Sequence, residues 1–179
     1  IGRDAELPVV IYHLKVGAKA NWGRMPEALA AIDKANAAGQ RVSATMYPYT
    51  AGGTSLNATL PLWVQEGGRE KMLERLKDPA TRARARQEIE TKIDGWENLL
   101  MATTFDGIQI ASVPPGFDQS VLGKRIAQIA AERKADPWAV YFSLLIDSGG
   151  RIGALYHMMS EQDVIAALKY NRITIGTDS

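Results

Sequence analysis

PVVIYHLK, residues Pro8–Lys15, decides how the rest of this chain reads. Val9, Val10 and Ile11 form a β-branched run, and the stretch turns polar at His13 and Lys15. A strand buried in a parallel sheet has that form, apolar along its length with reactive groups at its carboxyl end. The last residues, Ile173–Ser179, repeat the form as ITIGTDS. The two runs predict an α/β protein in which His13 and Asp178 are tips of one site.

The residues between them extend the pattern. Met25, Ala28, Leu29, Ile32 and Ala35 fall on one face at three- and four-residue spacing, predicting an amphipathic helix over Arg24–Ala38 that Gly39 ends. RVSATM, Arg41–Met46, is a second strand. Strand, helix and strand joined by short connections make a βαβ unit, so the two strands should be parallel. The second strand ends in Tyr47-Pro48-Tyr49-Thr50, a third tip, followed by a small-residue loop, AGGTSLNA. Residues 1–7 read as the end of a preceding helix, with Ile1 and Ala5 one turn apart.

Residues 67–95 read as two helices, the second opened by Asp78 as N-cap and Pro79 at the first helical position. Its sequence, TRARARQEIETKI, interleaves arginines with Glu88 and Glu90 and reads as a solvated face, with an anion-binding patch as the lesser alternative. Trp96–Thr104 and Gly107–Val113 are strand candidates. Ser120 is expected to cap a helix over Val121–Lys134. Asp136-Pro137 opens another that Gly149-Gly150 stops. Residues 151–159 read as extended. Ser160 with Asp163 is a partial capping box for a helix to Tyr170, and Arg172–Gly176 is the final strand.

Composition narrows the function. Twenty-one basic against 20 acidic residues leave a net charge of +1 in 179 residues, so nothing attracts nucleic acid or an anionic membrane over distance. No apolar run approaches the roughly 20 residues that cross a bilayer. The chain has no cysteine, which excludes disulfides and thiolate ligands and is compatible with the cytoplasm, the expected location. It has two histidines. Zinc normally takes three or four protein ligands, so either no metal binds or further ligands lie outside this chain.

Each candidate has two readings. His13 is a hydrogen-bonded structural histidine or a metal ligand. Asp178 is a turn or capping residue, or else a metal ligand or general base. Tyr47 and Tyr49 pack in the core or donate phenolic hydrogen bonds to a substrate. His157 reads as a surface or supporting residue, and the four tryptophans as packing. Phosphate loops, dinucleotide glycine fingerprints and the Gly-x-Ser-x-Gly elbow are absent from the sequence.

HLKVGAKANWGR (His13–Arg24), YPYTAGGTSL (Tyr47–Leu56), MSEQDV (Met159–Val164) and IGTDS (Ile175–Ser179) resemble, in this order, the D-aminoacylase group. This is the N-acyl-D-amino-acid deacylase branch of the amidohydrolase superfamily. The resemblance implies part of a metal-dependent (β/α)₈ TIM barrel, strands five to eight, filling residues 1–179. A substrate-covering helical insertion and strand seven would lie within 50–150. It implies that His13 ends strand five as a zinc ligand and that the Tyr47–Thr50 segment ends strand six. Asp178 would end strand eight as the catalytic residue. Lys15, Tyr49 or an arginine of the insertion would bind the substrate carboxylate. One or two zinc ions would be shared with ligands outside the chain, whose open edge would be closed by the N-terminal half of the barrel or by another copy.

Some superfamily members carry a ligand histidine after strand six, and SATMYPY has none. The implied activity is hydrolysis of N-acyl-D-amino acids by the intact protein, the 179 residues alone being inactive. The alternatives are another amidohydrolase, acting on a cyclic amide or a dipeptide, and a catalytically dead small-molecule-binding barrel.

Overall fold

The computed structural model describes residues 2–91 and 95–178. Its elements in chain order are β1 (Val9–Ile11), α1 (Met25–Ala37), β2 (Val42–Met46), β3 (Gly52–Ser55), α2 (Leu62–Gln65), α3 (Gly68–Lys77), α4 (Pro79–Glu90), α5 (Leu99–Gly107), β4 (Ile108–Ser112), α6 (Ile126–Arg133), α7 (Pro137–Asp147), β5 (Gly153–Tyr156), α8 (Glu161–Leu168) and β6 (Ile173–Ile175). They form two compact units, Ile1–Thr50 with Met158–Ser179, and Ala51–His157.

The first unit holds a parallel sheet of order β1-β2-β6. Val9 pairs with Val42 and Ile11 with Ala44, while Ala44 and Met46 pair with Ile173 and Ile175 on the other side. The βαβ reading of β1, α1 and β2 therefore holds. The apolar face of α1 is anchored by the buried Met25 and Ile32, and α8 supplies Val164 and Ala167 to the same unit's core.

Three sequence expectations for this unit need correction. β1 is not buried: it is an edge strand, and Val10 and Tyr12 are 60% and 62% exposed. A strand paired on one side with a helix on one face leaves its alternate side chains in water. The described residues before β1 form turns, not a helix, and Ile1 lies outside the described residues. No seventh strand stands between β2 and β6, which pair directly; among the described residues the parallel sheet has three consecutive strands, not four.

The second unit explains where the expected strand went. Its strands form an antiparallel sheet of order β3-β5-β4, with Gly52 opposite Tyr156 and Ile108 opposite Tyr156 on the other side. β3 replaces the loop expected at AGGTSLNA: Gly-Gly-Thr-Ser has low strand propensity, and pairing along β5 overrides it. The core beneath holds Ile108, Ile110, Ile126, Ile129, Leu144, Leu145 and Tyr156. Phe105, Trp138, Tyr141 and Phe142 form an aromatic cluster there, with Trp138 edge-on to Phe105 and Tyr141, the packing role expected of Trp138.

Helix signals hold where caps are strong. Asp78 accepts from Ala80 and Thr81 at the head of α4, and Asp136 accepts from Ala139 at the head of α7. Arg84 and Arg86 of α4 pair with Glu88 and Glu90 at 2.9 and 3.0 Å, and the two guanidinium groups lie over Trp63 and Trp138. The charged run is thus a self-paired face rather than an anion patch. The end of its expected helix, residues 92–94, lies outside the described residues.

Two elements were misread. Trp96–Thr104 contains helix α5, not a strand; Asn98 caps it by accepting from Met101 and ties it to Ile89 O. The helix expected over Val121–Lys134 starts only at Ile126. Asp118, not Ser120, caps a single tight turn at Gln119–Val121, and Gly123 at φ 74° breaks the chain before α6. No helix among the described residues is long and apolar enough to cross a membrane.

Candidate functional site

The site is built on the carboxyl ends of β1, β2 and β6. Beyond β1 the chain turns sharply: His13 adopts a left-handed backbone, φ 42°, and its N–H donates to Thr45 Oγ1 at 3.1 Å. The next amide, Leu14, donates to Thr45 O at 2.7 Å. Beyond β6, Gly176 N–H donates to Met46 O, and Asp178 is again left-handed at φ 62°. Non-glycine residues rarely occupy this region, although Asp and His are among those that tolerate it best. At both tips the turn is held by a bond to β2.

β1 and β6 flank β2, so their ends lie roughly 10 Å apart from the spacing of adjacent strands. Tyr47, the first residue beyond β2, stands between them. It is buried at 5% exposure, and its ring stacks on Tyr49 with centroids 6.0 Å apart. Lys15 Nζ lies 5.4 Å from the Tyr47 ring centre and 2.8 Å from His13 Nδ1. Burial pushes the Tyr47 phenol up to about 12, and the negative charge of Asp178 adds to the effect. His13, Lys15, Tyr47 and Asp178 are therefore one electrostatic neighbourhood. Tyr49, chosen from the sequence as a ligand to the substrate carboxylate, is the exposed partner of the stack at 53%.

The sequence undervalued Tyr47. Its position next to the last residue of β2 was the signal available, since it is nearer the strand end than Tyr49. Thr45 was missed because its role, bonding the His13 backbone, depends on register between β1 and β2. His157, by contrast, lies in the other unit. It is half-buried and bonded through Nε2 to Gln109 Oε1 at 2.8 Å, and burial first, then the charge of Arg125, lowers its pKa.

Beside the tip cluster, Lys15, Val16, Gly17, Asn21, Arg24, Glu27 and Ala28 line an open depression of about 380 Å³. That volume falls in the range of small-ligand sites.

An imidazole and a carboxylate on the tips either side of β2 are zinc-type ligands. They are two where three or four are needed, and the described residues hold no cluster of three such groups. The ammonium of Lys15 can only donate, so it donates to His13 Nδ1 and places the ring proton on Nε2. A metal at Nδ1 must displace Lys15, and a metal at Nε2 must displace that proton. Among the described residues, His13 and Asp178 would supply two of the ligands such a site needs.

No family model matches the chain. Its sequence is 29% identical to a D-aminoacylase of Alcaligenes xylosoxydans xylosoxydans over 178 residues, 99% of this chain and 27% of that protein. The chain resembles the D-aminoacylases from end to end. Among solved structures, an N-acyl-D-glutamate deacylase from Bordetella bronchiseptica, complexed with zinc and a phosphonate mimic of the tetrahedral intermediate, aligns with TM-score 0.62 at 24% identity. It covers 99% of this chain and 27% of that one, and at this identity shows the fold alone. A D-aminoacylase structure described for its binuclear metal centre, with one-metal activation and second-metal attenuation, aligns with TM-score 0.58 at 29% identity over the same shares. The chain spans 27% of the length of the D-aminoacylases it matches.

Proposed function

We propose that this chain is part of a zinc-dependent amidohydrolase that cleaves the amide bond of N-acyl-D-amino acids. The observation that carries the reading is the placement of His13 and Asp178 on parallel strand ends either side of β2, with Lys15 and Tyr47 between them. Likeness to D-aminoacylases along 99% of the chain supports it.

Direct pairing of β6 with β2 revises the strand count. If β6 is the last strand of the barrel, β1 and β2 are strands six and seven, not five and six. His13 then occupies the end of strand six, where some superfamily members carry a ligand histidine, and the apparent gap at SATMYPY closes. Ala51–His157, a unit with its own sheet and core, is the insertion between strands seven and eight. The exposed outer edge of β1 is where the preceding part of the barrel would pair.

In this reading His13 would hold the metal together with ligands outside the chain, and Asp178 would face the bound water. Zinc, when bound, polarises the acyl carbonyl and lowers the pKa of attacking water to about 7. Asp178 takes the proton of that water and passes it to the departing amine. Lys15 pairs with the substrate carboxylate, and Tyr49, stacked on Tyr47, donates a second bond to it.

The test is a substrate panel on the full-length protein, with its metal content measured in parallel. Release of D-amino acids from N-acetyl-D-amino acids, dependent on bound zinc, is expected. Hydrolysis confined to cyclic amides or dipeptides, or a protein without zinc or hydrolysis, would overturn the assignment.

A further inference from the structure

Asp163 carries a role that helix capping alone does not explain. Its residue is 3% exposed. Ser160 caps α8 by accepting from the Asp163 N–H at 3.1 Å and donates its own hydroxyl to Asp163 Oδ2 at 2.6 Å. The Asp163 carboxylate then leaves its own helix. Oδ2 accepts from Gly23 N–H at 2.8 Å and Oδ1 from Met25 N–H at 3.0 Å. Met25 N–H is the first amide of α1 and Gly23 N–H lies just before the N-cap position, where Arg24 provides no side-chain cap. Burial alone would raise the Asp163 pKa, but the bonds from Ser160, Gly23 and Met25 outweigh it and hold the group ionised.

The same loop is pinned a second time. Trp22 Nε1 donates to Met158 O at 2.9 Å, two residues before Ser160. Asn21 Nδ2 donates to Gly17 O at 2.9 Å, closing the turn between. The chain from His13 to Met25 is therefore held at one end by Thr45 and at the other by Asp163 and Met158. His13 and Lys15 lie within that span.

We propose that Asp163 is a positioning residue for the His13–Lys15 pair, acting through Gly23, Met25 and the loop between. This rests on the reading of His13 and Lys15 as metal and substrate ligands. It goes further by making the segment before β6 a determinant of how the loop after β1 presents those groups. A carboxylate suits the task because it alone accepts from two amides and a hydroxyl together with the strength of a charge-assisted bond.

The experiment compares Asp163→Ala, Asp163→Asn and Ser160→Ala in the full-length protein. Ser160→Ala removes the α8 cap and one donor to Oδ2 but leaves the bonds from Gly23 and Met25 in place, so it controls for loss of stability. Asp163→Ala is expected to raise KM for an N-acetyl-D-amino acid about tenfold, the loss of one charge-assisted bond at Lys15. It should also speed amide exchange of residues 13–17 about tenfold, and chelator should strip its zinc faster than from the parent. Asp163→Asn, which keeps one acceptor oxygen and loses the charge, should give an intermediate effect, with KM and exchange each raised severalfold. Ser160→Ala should lower the melting temperature with KM and exchange at 13–17 unchanged.

Equal KM changes in Ser160→Ala and Asp163→Ala, or exchange at 13–17 unaltered in Asp163→Ala, would overturn the proposal. If Asp163→Ala does not fold, Asp163→Asn decides: KM and exchange both at parental values reject it, and both raised severalfold support it. If the parent protein hydrolyses no amide, the functional reading fails, and amide exchange at 13–17 still decides whether Asp163 sets the loop.

Discussion

Lys15 Nζ stands 2.8 Å from His13 Nδ1, with only Leu14 between the two residues along the chain. The ammonium donates to the imidazole lone pair. Binding of an anionic substrate would draw Lys15 away and free the ring. Lys15→Met in the full-length protein is therefore expected to separate two effects. KM for an N-acyl-D-amino acid should rise about 10- to 100-fold, the weight of a charge-assisted bond. KM for the corresponding amide lacking the carboxylate should stay within about twofold. Zinc content, measured on the same samples, should be retained or increased, since a competing cation beside His13 is gone.

Asp178 and His13 should fail differently. Asp178→Asn keeps the shape and removes the proton acceptor, so kcat is expected to fall about 10²- to 10⁴-fold with KM little changed. His13→Ala removes a ligand, and the first loss should be metal, seen as zinc below the parental ratio after dialysis. Activity of His13→Ala with a full metal complement would sink the ligand role.

The strand ends were legible because chemistry and periodicity coincide there. Strand-like runs end just before His13, Tyr47 and Asp178, and each run proved to be a strand of one parallel sheet. The caps at Asp78 and Asp136 were legible because the bonds are local, spanning two or three residues. What could not be read is long-range. β3 is a strand only because β5, about a hundred residues later, pairs with it. Asp163 looked like half of a capping box, yet its carboxylate serves amides 138 and 140 residues away. α5 was lost to propensity: Thr103 and Thr104 favour strands, while Asn98 and the burial of Leu100 and Thr103 select the helix.

Tyr47 should make the protein sensitive to alkali. Its phenol is held protonated, at about 12 instead of 10.0, by burial and by Asp178. A group whose folded pKa lies above its unfolded value contributes stability that is complete below the unfolded value and lost as pH rises through the folded one. The contribution of Tyr47 is thus constant up to about pH 10 and disappears between pH 10 and about 12. Tyr47→Phe should flatten the fall in melting temperature across that window. The difference in 295 nm absorbance between parent and variant should show one phenol ionising near 12 in folded protein. A difference titrating near 10 would place Tyr47 in water and remove the coupling to Asp178.

Within Ala51–His157, Thr59 and Tyr141 allow a sharper stability test, because the direction of their bond can be deduced. Thr59 Oγ1 lies 2.7 Å from Leu56 O, a pure acceptor, so the threonine hydrogen is committed there. Tyr141 OH, also 2.7 Å from Thr59 Oγ1, must be the donor. Both residues are fully buried. Tyr141→Phe removes the donor and leaves an oxygen already bonded to Leu56, which should cost about 1 kcal/mol. Thr59→Val leaves the tyrosine hydroxyl buried with no acceptor and should cost about 1–3 kcal/mol. The double variant has neither group, so its cost should be below the sum of the two single costs. Urea unfolding of the full-length protein, followed by tryptophan fluorescence because Trp138 packs edge-on to Tyr141, reads all three. Strict additivity, or a larger loss in Tyr141→Phe than in Thr59→Val, would mean the bond runs the other way or does not form.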